Sequence, residues 1–302
     1  MTGEPIELTI DPALEGERLD VVLAGHAGSR SRAQGWIAAG LVSVDGEPAP
    51  KRHRVTAGQK VEIQPAIDAT PPVELPLTGS LAVAYEDQDL IVVDKPAGLV
   101  VHPAPGHRTG TLVQMLEGTV SGGDEDWRAG LVHRLDRDTS GLLVLAKTAA
   151  AHASLKRQLE ARTVERRYLA LVDGRPPART GTIDAPIGRD RRHRTRHSTD
   201  TQTPREARTH FELLEALPRH SLLEVRLETG RTHQIRVHLE AIGHPVAGDP
   251  VYGKAAELGL GRQFLHAARL SFVQPRTEQP IDLQSPLPGD LAAALERARS
   301  HS

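Results

Sequence analysis

His133, Arg134, Asp136, Arg137, Asp138, Thr139 and Ser140 crowd together in the stretch LVHRLDRDTSGLLVLAK, immediately before an apolar run. A segment this polar, broken by Gly141 and leading into a core strand, suits a loop held at the rim of a sheet, where function is often carried. Its aspartates are candidate chemical groups if a neighbouring cation orients them. The local alternative is a turn in which Asp138 and Thr139 bond nearby backbone.

A second cluster lies in ETGRTHQIRVHLEAIGHPVAGDPVYG. Ile235, Leu239 and Ile242 recur at i, i+4 and i+7, which predicts a helix from Thr232 to Ile242 with that stripe buried. Arg231 then stands at the helix N-terminus, an unfavourable place for a cation unless a carboxylate or phosphate compensates it. Asp136 is the natural partner, and a bidentate pair would fix the carboxylate's orientation. Tyr168 falls in VERRYLALVDG, an expected strand, where a tyrosine taken alone reads as core or edge packing. His102, His107, His133, His233, His238 and His244 do not form an HxxxH-with-carboxylate arrangement, and Arg134 is a poor neighbour for a cation site, so no metal is expected.

Basic residues gather in two places. The run RDRRHRTRH at 189–197 holds five Arg and two His against one Asp, with Arg191, Arg192 and Arg194 at its centre. Residues 29–60 carry Arg30, Arg32, Lys51, Arg52, Arg54 and Lys60 against only Asp45 and Glu47. Either stretch alone reads as a solvated surface. Together they suit a phosphate backbone, whose binding releases counterions and is therefore salt-dependent.

The chain as a whole is nearly neutral, with 37 Lys+Arg against 39 Asp+Glu, so any polyanion site must be local rather than spread over the surface. The absence of cysteine excludes disulfides, thiolate metal sites, iron–sulfur clusters and a Cys nucleophile. Aromatics make up only 3% of residues, which argues against a sheet of aromatics reading single strands. The N-terminus lacks a basic and apolar leader and no apolar run approaches the length of a membrane span, so a cytoplasmic protein is expected.

The elements that must position these residues fall into two parts. ERLDVVLAGH and SRSRAQGWIAAG read as short helices, the second capped by Ser29 or Ser31 and stopped at Gly40. LVSVDGEPAP turns at Asp45-Gly46, and KVEI follows as a strand. This helix–helix–hairpin domain spans 1–66, and the Pro-bearing stretch at 67–80 reads as a linker. From 81 to 302, strands dominate: LAVAYEDQDLIVVDKP, LLVLAK, RRYLALVDG, the hairpin of THFELLEAL and SLLEVRLETG, and FLHAARLSFV. AAAHASLKRQLEAR reads as a helix and TGTLVQMLEG as a shorter one, while 174–208 is a long connection. Irregularly interspersed helices favour an α+β domain with a mixed, largely antiparallel sheet over a doubly wound parallel one.

HRLDRDTSG, preceded by KPAGLVVHP and followed by GRTHQIRVHL, HPVAGDPVYG and FLHAARLSF, resembles the RluA family of RNA pseudouridine synthases. The blocks stand in family order from about Tyr85 to Phe272, and residues 1–66 resemble the alpha-L RNA-binding motif that often precedes this catalytic domain. The resemblance implies isomerisation of uridine to pseudouridine in structured RNA, most readily large-subunit ribosomal RNA, with no cofactor. It makes Asp136 the catalytic carboxylate, Arg231 its ion-pair partner, Tyr168 the ring stacked on the target base, and Arg134 the side chain that enters the space the base vacates. His133, beside Arg134, is expected to contact RNA with it. The reaction requires an everted base shielded from water. A single oriented carboxylate can trap or stabilise the electron-deficient sugar, as in retaining glycosidases. A monomer is the default expectation.

Two other readings stand beside this one. DRDTS superficially matches the DxDxT loop of Asp-nucleophile phosphatases, but His133 and Arg134 interrupt the strand that should precede it and no later acidic pair for Mg²⁺ is evident. A non-catalytic RNA-binding or ribosome-assembly protein would suit the basic N-terminal part and leave Asp136, Arg231 and Tyr168 without a purpose.

Overall fold

The computed structural model describes residues 6–27, 33–34, 36–37, 40–50, 53–64, 81–104, 107–123, 125–193 and 196–300. The chain divides into two compact units, Met1–Val73 and Glu74–Ser302. The expected linker at 67–80 lies outside the described residues, as do Arg30, Arg32, Lys51, Arg52 and Arg194.

In the first unit, β1 (Ile6–Thr9), β2 (Val42–Val44), β3 (Glu47–Pro48) and β4 (Lys60–Ile63) form one sheet in the order β1-β4-β2-β3. The β2–β3 hairpin turns through Asp45 (φ 51°) and Gly46 (φ 84°), the two left-handed residues that a tight hairpin turn needs. Asp45 Oδ1 also accepts the Lys60 N–H at 2.9 Å, which ties the turn to β4. Leu19–Val22 and Ala24–Ala27 are single helical turns. Residues 33, 34, 36 and 37 are helical too, while Ser29 and Ser31 lie outside the described residues. Leu19, Leu23, Ile37, Val42, Val61 and Ile63 pack together as this unit's core. Arg54 is exposed, and its Nη1 donates to the Gly16 carbonyl at 2.7 Å. β1 was not expected from the sequence, because two apolar residues among acidic neighbours give too short an alternation to read.

The second unit is built on one nine-stranded sheet. Its strands are β5 (Ala82–Glu86), β6 (Leu90–Lys95), β7 (Ser140–Ala146), β8 (Glu165–Asp173), β9 (Thr180–Asp184), β12 (Arg208–Ala216), β13 (His220–Leu227), β14 (Leu265–Val273) and β15 (Pro280–Gln284). The order is β5-β6-β7-β14-β8-β13-β12-β9, with β15 also on β14, and only β7 with β14 is parallel. A mixed, largely antiparallel sheet is what the irregular strand pattern implied.

Every residue of β7 is buried, which explains its unbroken apolar run. Leu143 and Leu145 face one core and Leu142 and Val144 the other. The helix Ala149–Glu160, started by Thr148 Oγ1 accepting the Ala151 N–H at 3.1 Å, adds Ala151 and Leu155 to the second core. The helices Gln234–Ala241 and Gly289–Ser300 pack on the first. Gly141 has φ 111°, and a Cβ there would collide with the Ala267 backbone, so this position of the parallel pair requires glycine.

The 174–208 connection is more structured than expected. Besides β9 it holds the two-residue strands β10 (Gly188–Arg189) and β11 (His197–Ser198), which pair antiparallel. Charge did not prevent packing here, because Arg196 lays its guanidinium 4.8 Å from the Tyr252 ring centre. No helix among the described residues is long and apolar enough to cross a membrane.

Candidate active site

Residues 131–139 lead into β7 as a loop whose backbone is pinned from below. Buried Lys95 donates through Nζ to the carbonyls of Pro96, Leu99 and Arg137 at 2.8, 2.9 and 2.8 Å. Burial, against the opposing charges of Asp138 and Asp136, pushes this ammonium down to about 7. Arg262 Nη1 donates to the Asp138 carbonyl at 3.1 Å, and Gln263 Nε2 donates to Thr139 Oγ1 at 3.2 Å. Asp138 spends its carboxylate on Arg137. The loop is therefore held by distant residues rather than by the Asx turn that was the alternative.

Asp136, so positioned, lines a cavity of about 480 Å³ together with Arg134, Tyr168, Arg231, His233 and Arg236. Its Oδ2 accepts from Arg236 Nη1 at 3.1 Å. Arg236 Nε and Nη2 grip the two oxygens of Asp249 at 2.6 and 2.8 Å. Asp249 Oδ1 also accepts the backbone N–H groups of Val251 and Tyr252 at 2.9 and 3.1 Å. The Asp249 side chain is fully buried, whereas that of Asp136 keeps 17% exposure toward the cavity. Burial opposes the Arg236 charge, but the Asp249 hydrogen bonds and the Asp136 charge outweigh it and hold its pKa above the ordinary value. Burial alone would raise the Asp249 carboxyl, and Arg236 holds it below its usual range.

The expected Arg231–Asp136 pair is corrected by this geometry. Arg231 is exposed at the mouth of the cavity, and its Nε donates to the Glu206 carbonyl at 2.9 Å. The helix begins at Gln234 rather than Thr232, with His233 as its N-cap residue. Gln234 through Leu239 are all buried, while Ile242 is 37% exposed. The apolar stripe therefore did not mark the only inward face, and Arg236 points into the interior where a one-sided helix would have placed it in solvent. The signal that could have found it is Asp249 in the AGDPVYG block, a carboxylate between apolar neighbours that needs a buried cation.

His233 was read only as one of several histidines, yet the structure places it in the site. It has φ 57°, a left-handed conformation uncommon outside Gly and Asn. Its Nδ1 lies 3.0 Å from the Tyr252 hydroxyl and its Nε2 3.9 Å from Asp136 Oδ2. The Tyr252 hydroxyl also accepts the His197 N–H at 3.1 Å, which ties His233 to the β10–β11 hairpin.

Tyr168, in the middle of β8, is 5% exposed and faces the same cavity. Burial raises its phenol above the ordinary value. Arg134 is exposed on the cavity wall. His133 is turned inward: the Val144 N–H donates to its Nε2 at 3.4 Å, and burial with the Arg166 charge pushes its imidazole down to about 3. Arg191 and Arg192 lie in the β10–β11 hairpin, Arg191 paired with exposed Asp200 at 3.2 Å. Of the described residues, Asp173, His220 and Glu257 bring possible metal-ligand atoms within 4.8 Å of one another. Lys254 already meets Asp173 at 2.7 Å there, and these three residues do not line the cavity.

Comparison with known proteins bears on this arrangement. Residues 89–241 match the RNA pseudouridylate synthase family, and residues 17–61 match the S4 domain. The chain is 44% identical over 302 residues to the uncharacterized RNA pseudouridine synthase YlyB of Bacillus subtilis (strain 168), covering 98% of this chain and 99% of that one. It is 47% identical over 309 residues to the ribosomal large subunit pseudouridine synthase D of Nitrosomonas europaea, covering 98% and 88%. Human RNA pseudouridylate synthase domain containing 1 superposes with a TM-score of 0.56 at 29% identity, over 69% of this chain and 84% of that one. The chain thus belongs to the RNA pseudouridylate synthases, enzymes of the RluA type that isomerise uridine in RNA, and carries an S4 domain ahead of the synthase fold.

Proposed function

We propose that the chain converts specific uridines of structured large-subunit ribosomal RNA to pseudouridine, with Asp136 acting on a uridine flipped out of its stack. The observation that carries this reading is the Asp136 carboxylate, oriented by Arg236 inside a cavity that Tyr168 also lines. The ribosomal assignment is supported by relatives named ribosomal large subunit pseudouridine synthase D in Nitrosomonas europaea and Neisseria meningitidis. The enzyme acts in the cytoplasm as a monomer and without a small-molecule cofactor.

In this reading the uracil N1–C1′ bond breaks, the detached base turns, and C5 bonds to C1′. The proton displaced from C5 leaves and N1 takes one up, so product and substrate are isomers. Asp136 stabilises or traps the electron-deficient sugar carbon, and Arg236 holds the carboxylate so that it costs no reorganisation during the reaction. Tyr168 stacks on the base, and exposed Arg134 fills the gap left in the RNA. The basic residues of the first unit and of the 189–197 run contribute sequence-independent affinity for phosphates.

Tritium release from RNA labelled at uracil C5 tests the reading. Turnover on ribosomal RNA lacking the modification, abolished in Asp136→Asn, is the expected result. Wild-type turnover by Asp136→Asn, or no release from any cellular RNA, would overturn it.

A further inference from the structure

Two buried arginines line the cavity, and the fold provides for them differently. Arg236 holds two carboxylates. Arg166 is 7% exposed, and among the described residues it forms no ion pair with a carboxylate. Its Nε has no hydrogen-bond partner, and its Nη2 reaches only the Glu228 carbonyl at 3.4 Å.

The surrounding acids are committed elsewhere. Glu228 pairs with Arg162, Arg208 and His210, and Glu206 with Arg162. The adjacent Arg167 takes Glu165 and Glu224. Side chains alternate across β8, so Arg166 shares a face with Tyr168 and Arg167 points the other way. Folding has buried a full positive charge beside the reaction space, and the described residues supply no anion for it. Such a charge destabilises the free protein unless a ligand completes the pair.

We propose that Arg166 is an anion site that binds an RNA backbone phosphate next to the target uridine. The inference rests on the proposed function, since that nucleotide is the one held against Asp136 and Tyr168. The unmet group is a permanent cation, whose full complement is an anion, and the guanidinium fork matches two phosphate oxygens. An everted nucleotide carries its own phosphodiesters into the mouth of the cavity. Arg166 thus trades stability of the free enzyme for grip on the substrate.

The test pairs Arg166→Met with Arg166→Lys in the full chain. In Arg166→Met the denaturation midpoint stays level or rises, because a buried unpaired charge is gone. Affinity for a ribosomal RNA fragment falls about 10- to 100-fold, as for loss of one charge-assisted hydrogen bond. The slope of log Kd against log salt falls by about one. Arg166→Lys retains the slope. Inorganic phosphate raises the melting temperature of the wild type and not of Arg166→Met. Methylphosphonate replacement at the phosphates flanking the target uridine weakens wild-type binding at one position only, and Arg166→Met is indifferent to that replacement. A destabilised Arg166→Met, an unchanged salt slope, or equal sensitivity of both proteins at every flanking phosphate overturns the assignment. A wild type that binds RNA but shows no tritium release leaves the anion site standing and sinks the proposed function instead.

Discussion

Asp249 closes on Arg236 with both carboxylate oxygens, at 2.6 and 2.8 Å, from the loop that follows the helix. Only the remaining Nη1 is left to reach Asp136. The catalytic candidate is thus oriented by a guanidinium that is itself immobilised from behind by a fully buried carboxylate.

Arg236→Lys is expected to lower kcat by about 100-fold or more, because an ammonium cannot serve Asp249 bidentately and Asp136 at once. Arg231→Ala, by contrast, should keep kcat within about threefold and act on KM, as a rim residue does. Steady-state tritium release on the same RNA separates the two, and equal effects would count against the assignment of Arg236 as the partner.

Asp249→Asn removes the charge that offsets a buried Arg236. Breaking a buried pair from one side costs about 3–5 kcal/mol. For a unit of this size that lowers Tm by about 6–20 °C. Calorimetry of the full chain checks it, and an unchanged melting curve would show that the pair adds nothing to stability.

Acid should destabilise the synthase unit before its carboxylates titrate. Burial depresses His102 to about 4 and His133 to about 3, against an ordinary 6.5. Unfolded imidazoles take up protons as pH falls through about 6.5 while the folded ones do not, so the stability is present above that value and is lost as pH falls toward 4 and then 3. The slope is at most about 1.4 kcal/mol per pH unit for each histidine. Urea denaturation at about pH 7, 6 and 5 measures it, and His102→Phe should flatten the dependence. A midpoint that stays constant over that range would contradict the burial of both rings.

Residues 74–302 expressed alone should fold, because this unit carries its own core. The fragment should bind RNA more weakly than the full chain and with a shallower salt dependence, since the cations of the first unit are gone. Circular dichroism and filter binding across a salt series give both readings. An unfolded fragment would mean that the two units depend on each other for stability.

Strands and helices with a strong period were legible without coordinates. The β12–β13 hairpin, the helix Ala149–Glu160 and the all-buried β7 follow from alternation, helical spacing and an unbroken apolar run. Asp136 stood out in the polar cluster, whereas the strand pattern alone read Tyr168 as packing, and only the family resemblance put it in the site. What could not be read is which of two arginines, five residues apart, faces inward. Position on a helix decides that only if one side is solvent, and Gln234–Ala241 is packed on nearly every side. His233 was hidden for a related reason: its place beside Asp136 is set by a contact with a hydroxyl 19 residues away, which leaves no local pattern.

The order of synthesis adds a last point. β14 sits between β7 and β8 and joins β5-β6-β7 to β8-β13-β12-β9, yet it follows all of them in the chain. Each flanking group can zip up by itself as it leaves the ribosome, but the central seam stays open until residues near 265 emerge. A nascent polypeptide would therefore carry the basic residues of the first unit long before its reaction chamber could close, because the chamber wall includes Leu265 of β14.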